Sequence, residues 1–222
     1  MIERAKNRPT TVDWSRGLII ARGAAAGDVR APSPSVARVA ARRRATEQAR
    51  NRLIERAQTL VLDAKTIAKH ARADKQVAKR LRQSAQQALE LGMDYGSDGS
   101  MVATVGLPLE AVRSAVHGPT RVTRAADQAP TAIVVDARRV MNRPILGVEL
   151  ASLSARYVGP AVFYRSLTRA LADPRAGQRI VQVRAKKRSG ARLVMSAPAA
   201  AARSHVEAAA RAGALLIIVI GK

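Results

Sequence analysis

Apolar positions recur along this chain at two different periods. Val12 and Trp14 alternate, and Leu18-Ile19-Ile20-Ala21 runs between Gly17 and Gly23, which predicts a first strand. Ala31-Pro32-Ser33-Pro34-Ser35 stops it, and Pro34-Ser35 opens a helix. Ala45, Ala49, Leu53, Ala57 and Leu60 then follow at helical spacing, one apolar stripe on a helix predicted from about Val36 to Thr59. Arg42, Arg43, Arg50, Arg52 and Arg56 occupy its other faces. A second helix is expected from near Asp74, with Val77, Leu81, Ala85 and Ala88 inward and Lys75, Lys79, Arg80 and Arg82 outward.

The clearest local signal is a hairpin. Met93-Asp94-Tyr95 and Met101-Val102-Ala103-Thr104-Val105 are joined by Gly96-Ser97-Asp98-Gly99-Ser100, whose Asp-Gly pair suits a tight turn. Pro108 starts a short helix, Leu109 to Val116, ended by Gly118-Pro119, and residues 119 to 130 read as a linker. Beyond it, Thr131 to Asp136 is a continuous apolar strand of the buried type, with weaker strands at Val148-Glu149-Leu150 and Tyr157-Val158. A short helix is expected over Arg165 to Ala172. Arg179 to Ala185 and Arg192 to Met195 are strands separated by a basic hairpin or loop, Lys186 to Ala191. Ser196-Ala197-Pro198 opens an alanine-rich helix to Ala212, and Leu215 to Ile220 closes the chain as a buried strand. The fold class is α+β: a β-α-β-β module over residues 1 to 118, the linker, and a mixed α/β module over residues 131 to 222.

Charge changes the picture. The chain of 222 residues carries 39 Lys and Arg against 16 Asp and Glu, a formal charge of +23. With 47% hydrophobic residues it can bury a core, so the excess sits on a folded body that favours anionic surroundings. Residues 36 to 90 hold 14 basic and 5 acidic side chains and residues 131 to 222 hold 16 and 4, which predicts at least two basic surfaces. The anion-contact candidates are Arg42, Arg43, Arg44 and Arg50 in one block and Lys186, Lys187 and Arg188 in the other. Aromatic residues are only 2%, too few to build stacking platforms for unpaired bases.

Candidate chemistry is thin. The absence of cysteine excludes disulfides, thiolate metal sites and a lipid-modified cysteine from the chain as written. His70, His117 and His205 stand apart from carboxylates at ligand spacing, so no metal site or cofactor is expected. Gly96 to Gly99 joins two strands, whereas a phosphate cradle leads from a strand into a helix. Asp136, at the end of a buried strand, occupies the place where open α/β sheets put functional groups; capping or pairing with Arg138 or Arg139 is an equal alternative. Met1 to Pro9 lacks the apolar core of a secretory signal and Ala214 to Ile220 is too short to span a bilayer, so the chain as written is expected to be soluble.

Val12-Asp13-Trp14-Ser15-Arg16-Gly17, Ile20-Ala21-Arg22-Gly23, Ala41-Arg42-Arg43-Arg44-Ala45 and Asn51-Arg52-Leu53 resemble the opening of the lipoprotein-20 and flagellar assembly protein T-like envelope family. The similarity extends through Asp94 to Ser100, Leu107-Pro108-Leu109, Thr131 to Ala137, Tyr157-Val158-Gly159-Pro160 and Ala172-Asp173-Pro174-Arg175. The resemblance implies an antiparallel sheet wrapped on one long helix, then a second α/β module. It also implies a periplasmic or outer-membrane assembly component without catalysis. The expectation is therefore a homo-oligomer larger than a dimer that meets anionic envelope polymer or lipid headgroups. The rival is a cytoplasmic nucleic-acid-compacting protein, held to the backbone by charge.

Overall fold

Ser33 and Pro34 start the helix that organises the first half of the molecule. The Ser33 hydroxyl accepts from the Val36 N–H, and Pro34 occupies the first turn, where a missing donor costs nothing. The helix, α1, runs Pro34–Thr59 and buries Ala41, Ala45, Ala49, Leu53 and Ala57, the stripe expected from its periodicity and one turn more. The structure, a computed structural model, describes residues 1–4, 9–62, 65–120, 122, 129–151, 157–196 and 200–222.

Around α1 lies a five-stranded antiparallel sheet. Its strands are β1 (Ile2–Arg4), β2 (Thr10–Asp13), β3 (Leu18–Ala25), β6 (Leu89–Tyr95) and β7 (Met101–Pro108), in the order β1-β2-β3-β7-β6. The first predicted strand is thus a hairpin, because Gly17 adopts φ 70° and turns the chain between Val12 and Leu18. Alternation sets one face of β3 on the helix: Ile19 and Ala21 are fully buried, and a Cβ placed on Gly23 would run into the backbone of Ala45 and Ala49. Only a residue without a side chain permits that approach. The short pair β4 (Val61–Leu62) and β5 (Lys65–Thr66) leads into α2 (Ile67–Ala73), α3 (Lys75–Gln86) follows, capped by Asp74, and α4 (Leu109–His117) leaves β7. The helix α2 carries no apolar stripe, only Ile67 being buried, and had no counterpart in the periodicity.

The second sheet has seven strands. They are β8 (Ala132–Asp136), β9 (Glu149–Ala151), β10 (Tyr157–Val158), β11 (Ala161–Tyr164), β12 (Ile180–Ser189), β13 (Arg192–Met195) and β14 (Leu215–Val219), ordered β10-β9-β13-β12-β8-β14-β11. The block β12-β8-β14-β11 is parallel, which explains why β8 and β14 read as unbroken apolar runs: both faces are covered. The helices α5 (Leu167–Leu171) and α6 (Ala200–Arg211) complete the mixed α+β fold. Of the hairpin or loop expected over Lys186 to Ala191 the structure has the hairpin: Lys186 to Ser189 extend β12, paired with β13 beyond a register shift at Ala185 to Lys187, and Gly190 makes the turn. The expected start of the last helix at Ala197-Pro198, and most of the expected linker, lie outside the described residues.

The two sheets fall on either side of residues 119 to 130, yet they share one core. Val12, Trp14, Leu53 and Leu107 join Ile133, Leu150, Phe163 and Leu216 in a single apolar cluster. Trp14 meets Phe163 edge to face with ring centroids 5.6 Å apart, and the Phe163 N–H donates to the Trp14 carbonyl. Arg175 adds a polar clip: its guanidinium donates to the carbonyls of Ser15 and Arg16 while pairing with the buried carboxylate of Asp173.

Candidate functional site

A helix turns about 100° per residue, so three successive arginines cannot share a face. Arg42 leans toward β6 and donates to both carboxylate oxygens of Glu90 at 3.2 Å. Arg44 swings to the opposite side and donates to the Ala26 carbonyl at 2.8 Å. Arg43, between them, faces α3. Arg50 lies seven residues on, about two turns, and returns to the Arg43 face.

That face of α1 and the facing side of α3 enclose an open groove of about 640 Å³ lined by Arg42, Arg43, Glu47, Arg50 and, from α3, Arg82, with Glu90 of β6 also in its lining. Val39, Ile54 and Ala85 supply apolar wall. The fold therefore brings together Arg42, Arg43 and Arg50 and excludes Arg44. It also adds Arg82, which periodicity placed only on an outward face of the second helix. Its nearness to Arg50 depends on how two helices pack, and no spacing within one helix encodes that.

The pairing of these cations differs sharply. Arg42 has Glu90, whereas Arg43, Arg50 and Arg82 make no ion pair or side-chain hydrogen bond among the described residues. The Arg50 Nε is buried and has no acceptor. A buried donor without a partner is a standing cost, about 1–3 kcal/mol in ordinary cases.

The second basic block is elsewhere. Lys186 and Lys187 are exposed on β12, and Arg188 donates to the Gly190 carbonyl at 2.7 Å, closing its own turn. The hairpin of β12 and β13 that carries them is continued by β9 on the far side of β13, where Arg192 pairs with Glu149 at 3.1 Å.

Asp136 ends β8 in the centre of the parallel block. It accepts from Arg138 Nε at 2.9 Å and Nη2 at 2.8 Å, and from the Arg138 N–H. The Arg138 side chain holds this carboxyl below the usual carboxylate range, against partial burial and with help from the charge of Arg184. A pocket of about 330 Å³ opens beside it, lined by Arg138, Arg139 and Arg184. The carboxylate is thus paired within its own turn, the capping and pairing alternative for this residue.

Among the described residues, no three of His, Asp and Glu gather closely enough to hold a metal ion, and no helix is long and apolar enough to cross a membrane. His70 sits beside the Leu62 carbonyl at 3.1 Å. No protein-family model matches the chain, and no curated protein matches it.

Proposed function

We propose that this protein is a non-catalytic scaffold or assembly component of the cell envelope, which self-associates and holds anionic envelope components against its basic surfaces. One observation carries the reading: of the seven cationic candidates, only Arg42 has a carboxylate partner among the described residues. Cations kept on a rigid body without internal counter-charge favour an external anion. Self-association is supported by β6, an edge strand on which Leu89, Leu91 and Tyr95 are 53%, 46% and 66% exposed and no lysine or proline guards the edge. The resemblance to lipoprotein-20-like proteins points the same way. Light scattering at moderate salt tests the assembly, with a mass above that of a dimer expected; a monomeric mass overturns it.

A second reading, a cytoplasmic nucleic-acid-compacting protein, is favoured by Lys186 and Lys187, exposed on β12 without a carboxylate partner among the described residues, which suit contact with a phosphate backbone by charge. A gel shift at rising salt separates the two. DNA retained at physiological ionic strength supports the second reading, and loss of all binding there supports the first.

A further inference from the structure

We infer that the groove between α1 and α3 is a specific site for a phosphomonoester group, with the half-buried Arg50 as its anchor and Arg43 and Arg82 as its two outer donors. The inference rests on the anion-binding reading above and sharpens it to one site and one ligand chemistry. The Nε of Arg50 is out of solvent and has no acceptor, and the groove around it holds Arg43 and Arg82 together with the carboxylates of Glu47, which pairs with none of them, and Glu90, which is taken by Arg42. Packing alone does not explain a guanidinium there, because a methionine would fill the same length of groove without an unsatisfied donor. A ligand oxygen does explain it.

The number of donors selects the anion. A carboxylate offers two oxygens in one plane and is matched by a single guanidinium fork. Three unpaired guanidinium groups drawn from two helices instead suit a group with three terminal oxygens and close to two negative charges, which is a phosphomonoester near neutral pH. Arg42 is held by Glu90 and is not needed for this count. Val39, about a turn before Arg43, and Ile54, about a turn after Arg50, give apolar surface at either end of the arginines, on one of which an attached organic group can lie. Val39 itself is 70% exposed, so that end is open to an incoming molecule.

The same headgroup chemistry occurs on soluble metabolites and on lipids, and the probes separate them. Calorimetric titration of the full chain with glycerol 3-phosphate at fixed ionic strength reports soluble phosphomonoester. Flotation with phosphatidylcholine vesicles, with and without phosphatidic acid, reports the lipid form. Saturable binding of either probe is expected, weakened about tenfold or more by Arg50→Met and by Arg82→Met, and less than about twofold by Arg44→Gln, which removes the same charge from α1 outside the groove. Arg50→Met is also expected to melt at the wild-type temperature or above it, which separates lost binding from lost folding. Equal weakening by Arg50→Met and Arg44→Gln would show diffuse attraction and overturn the site, leaving the general basic-surface reading in place. Absence of binding to both probes overturns the site as well; if the chain also ignores anionic vesicles of phosphatidylglycerol, the broader reading falls with it.

Discussion

The inner and outer faces of α1 are built on opposite plans. Inward, Ala41, Ala45, Ala49 and Ala57 are fully buried and press the helix onto the sheet so closely that β3 must offer Gly23. Outward, Arg43 and Arg50 line an open groove without partners, and one donor is buried with nothing to bond. The contrast separates side chains whose charge is met within the chain from those whose charge is not: Arg56 also buries an unpartnered Nε, yet its guanidinium pairs with Glu3, whereas Arg50 has no carboxylate at all.

The largest effect should come from the inner face. Gly23→Ala places a methyl against backbone atoms of α1, which cannot move aside as a side-chain tip could, so the helix must lift from the sheet. A loss of about 3 kcal/mol in denaturant unfolding is expected. A loss below about 0.5 kcal/mol would mean that the helix is not seated this tightly, and the contrast between faces would lose its inner half.

Next in size is the clip between the sheets. Arg175→Ala removes the donors to the carbonyls of Ser15 and Arg16 and leaves the buried Asp173 carboxylate without its guanidinium, a cost of about 2 kcal/mol. Acid should act on the same place. Burial would raise the Asp173 carboxyl, but hydrogen bonds from Arg175 and Tyr164 outweigh it and hold it below its ordinary value. Asp13, which accepts from Ser15 and the Arg16 N–H, is likewise held low against burial. Folded values below the unfolded value of about 3.9 mean that this stabilisation is complete above that pH and is lost as the pH falls through the folded values. Wild type should therefore lose stability from about pH 4 downward, and Arg175→Ala should lose less over the same range. Parallel pH profiles for the two proteins would remove the clip from the account.

What could be read from residue order follows the same division. Period-3.6 patterning found the buried stripe of α1 and of α3, and Asp98-Gly99 found the β6–β7 hairpin, because those signals are local. The strand β11, Ala161–Tyr164, was missed: four residues after Gly159-Pro160 carry little pattern, and its only strand partner, β14, lies more than fifty residues away. Adjacency of Arg42, Arg43 and Arg44 carries into space only in part: Arg42 and Arg43 both line the groove, with Arg42 held by Glu90, while helical rotation sends Arg44 to the Ala26 carbonyl. Arg82 entered only through tertiary packing. Asp136 shows that place in a fold does not by itself confer a role: it ends a central parallel strand, yet Arg138 occupies both of its oxygens. Asp136→Asn should cost no more than about 1 kcal/mol, the scale of a pair whose arginine is half in solvent. A larger loss would reveal a demand on this carboxylate from the pocket beside it.

The smallest expected change tests the outer face directly. In Arg50→Met the aliphatic stem keeps its packing while the unsatisfied Nε–H disappears, so the ligand-free protein should be unaltered or more stable by up to about 1 kcal/mol. That outcome sets the half-buried Arg50 apart from the buried Arg113, which is bidentate to Glu110 and also donates to the Gly118 carbonyl and the Thr120 hydroxyl. Arg113→Met should destabilise by about 3 kcal/mol, the cost of breaking a buried pair. Equal losses at Arg50 and Arg113, measured by urea unfolding under the same conditions, would place both arginines in the service of the fold. A gain or no change at Arg50 beside a large loss at Arg113 leaves the guanidinium of α1 with nothing to do in the folded chain alone, and its acceptor must then come from outside.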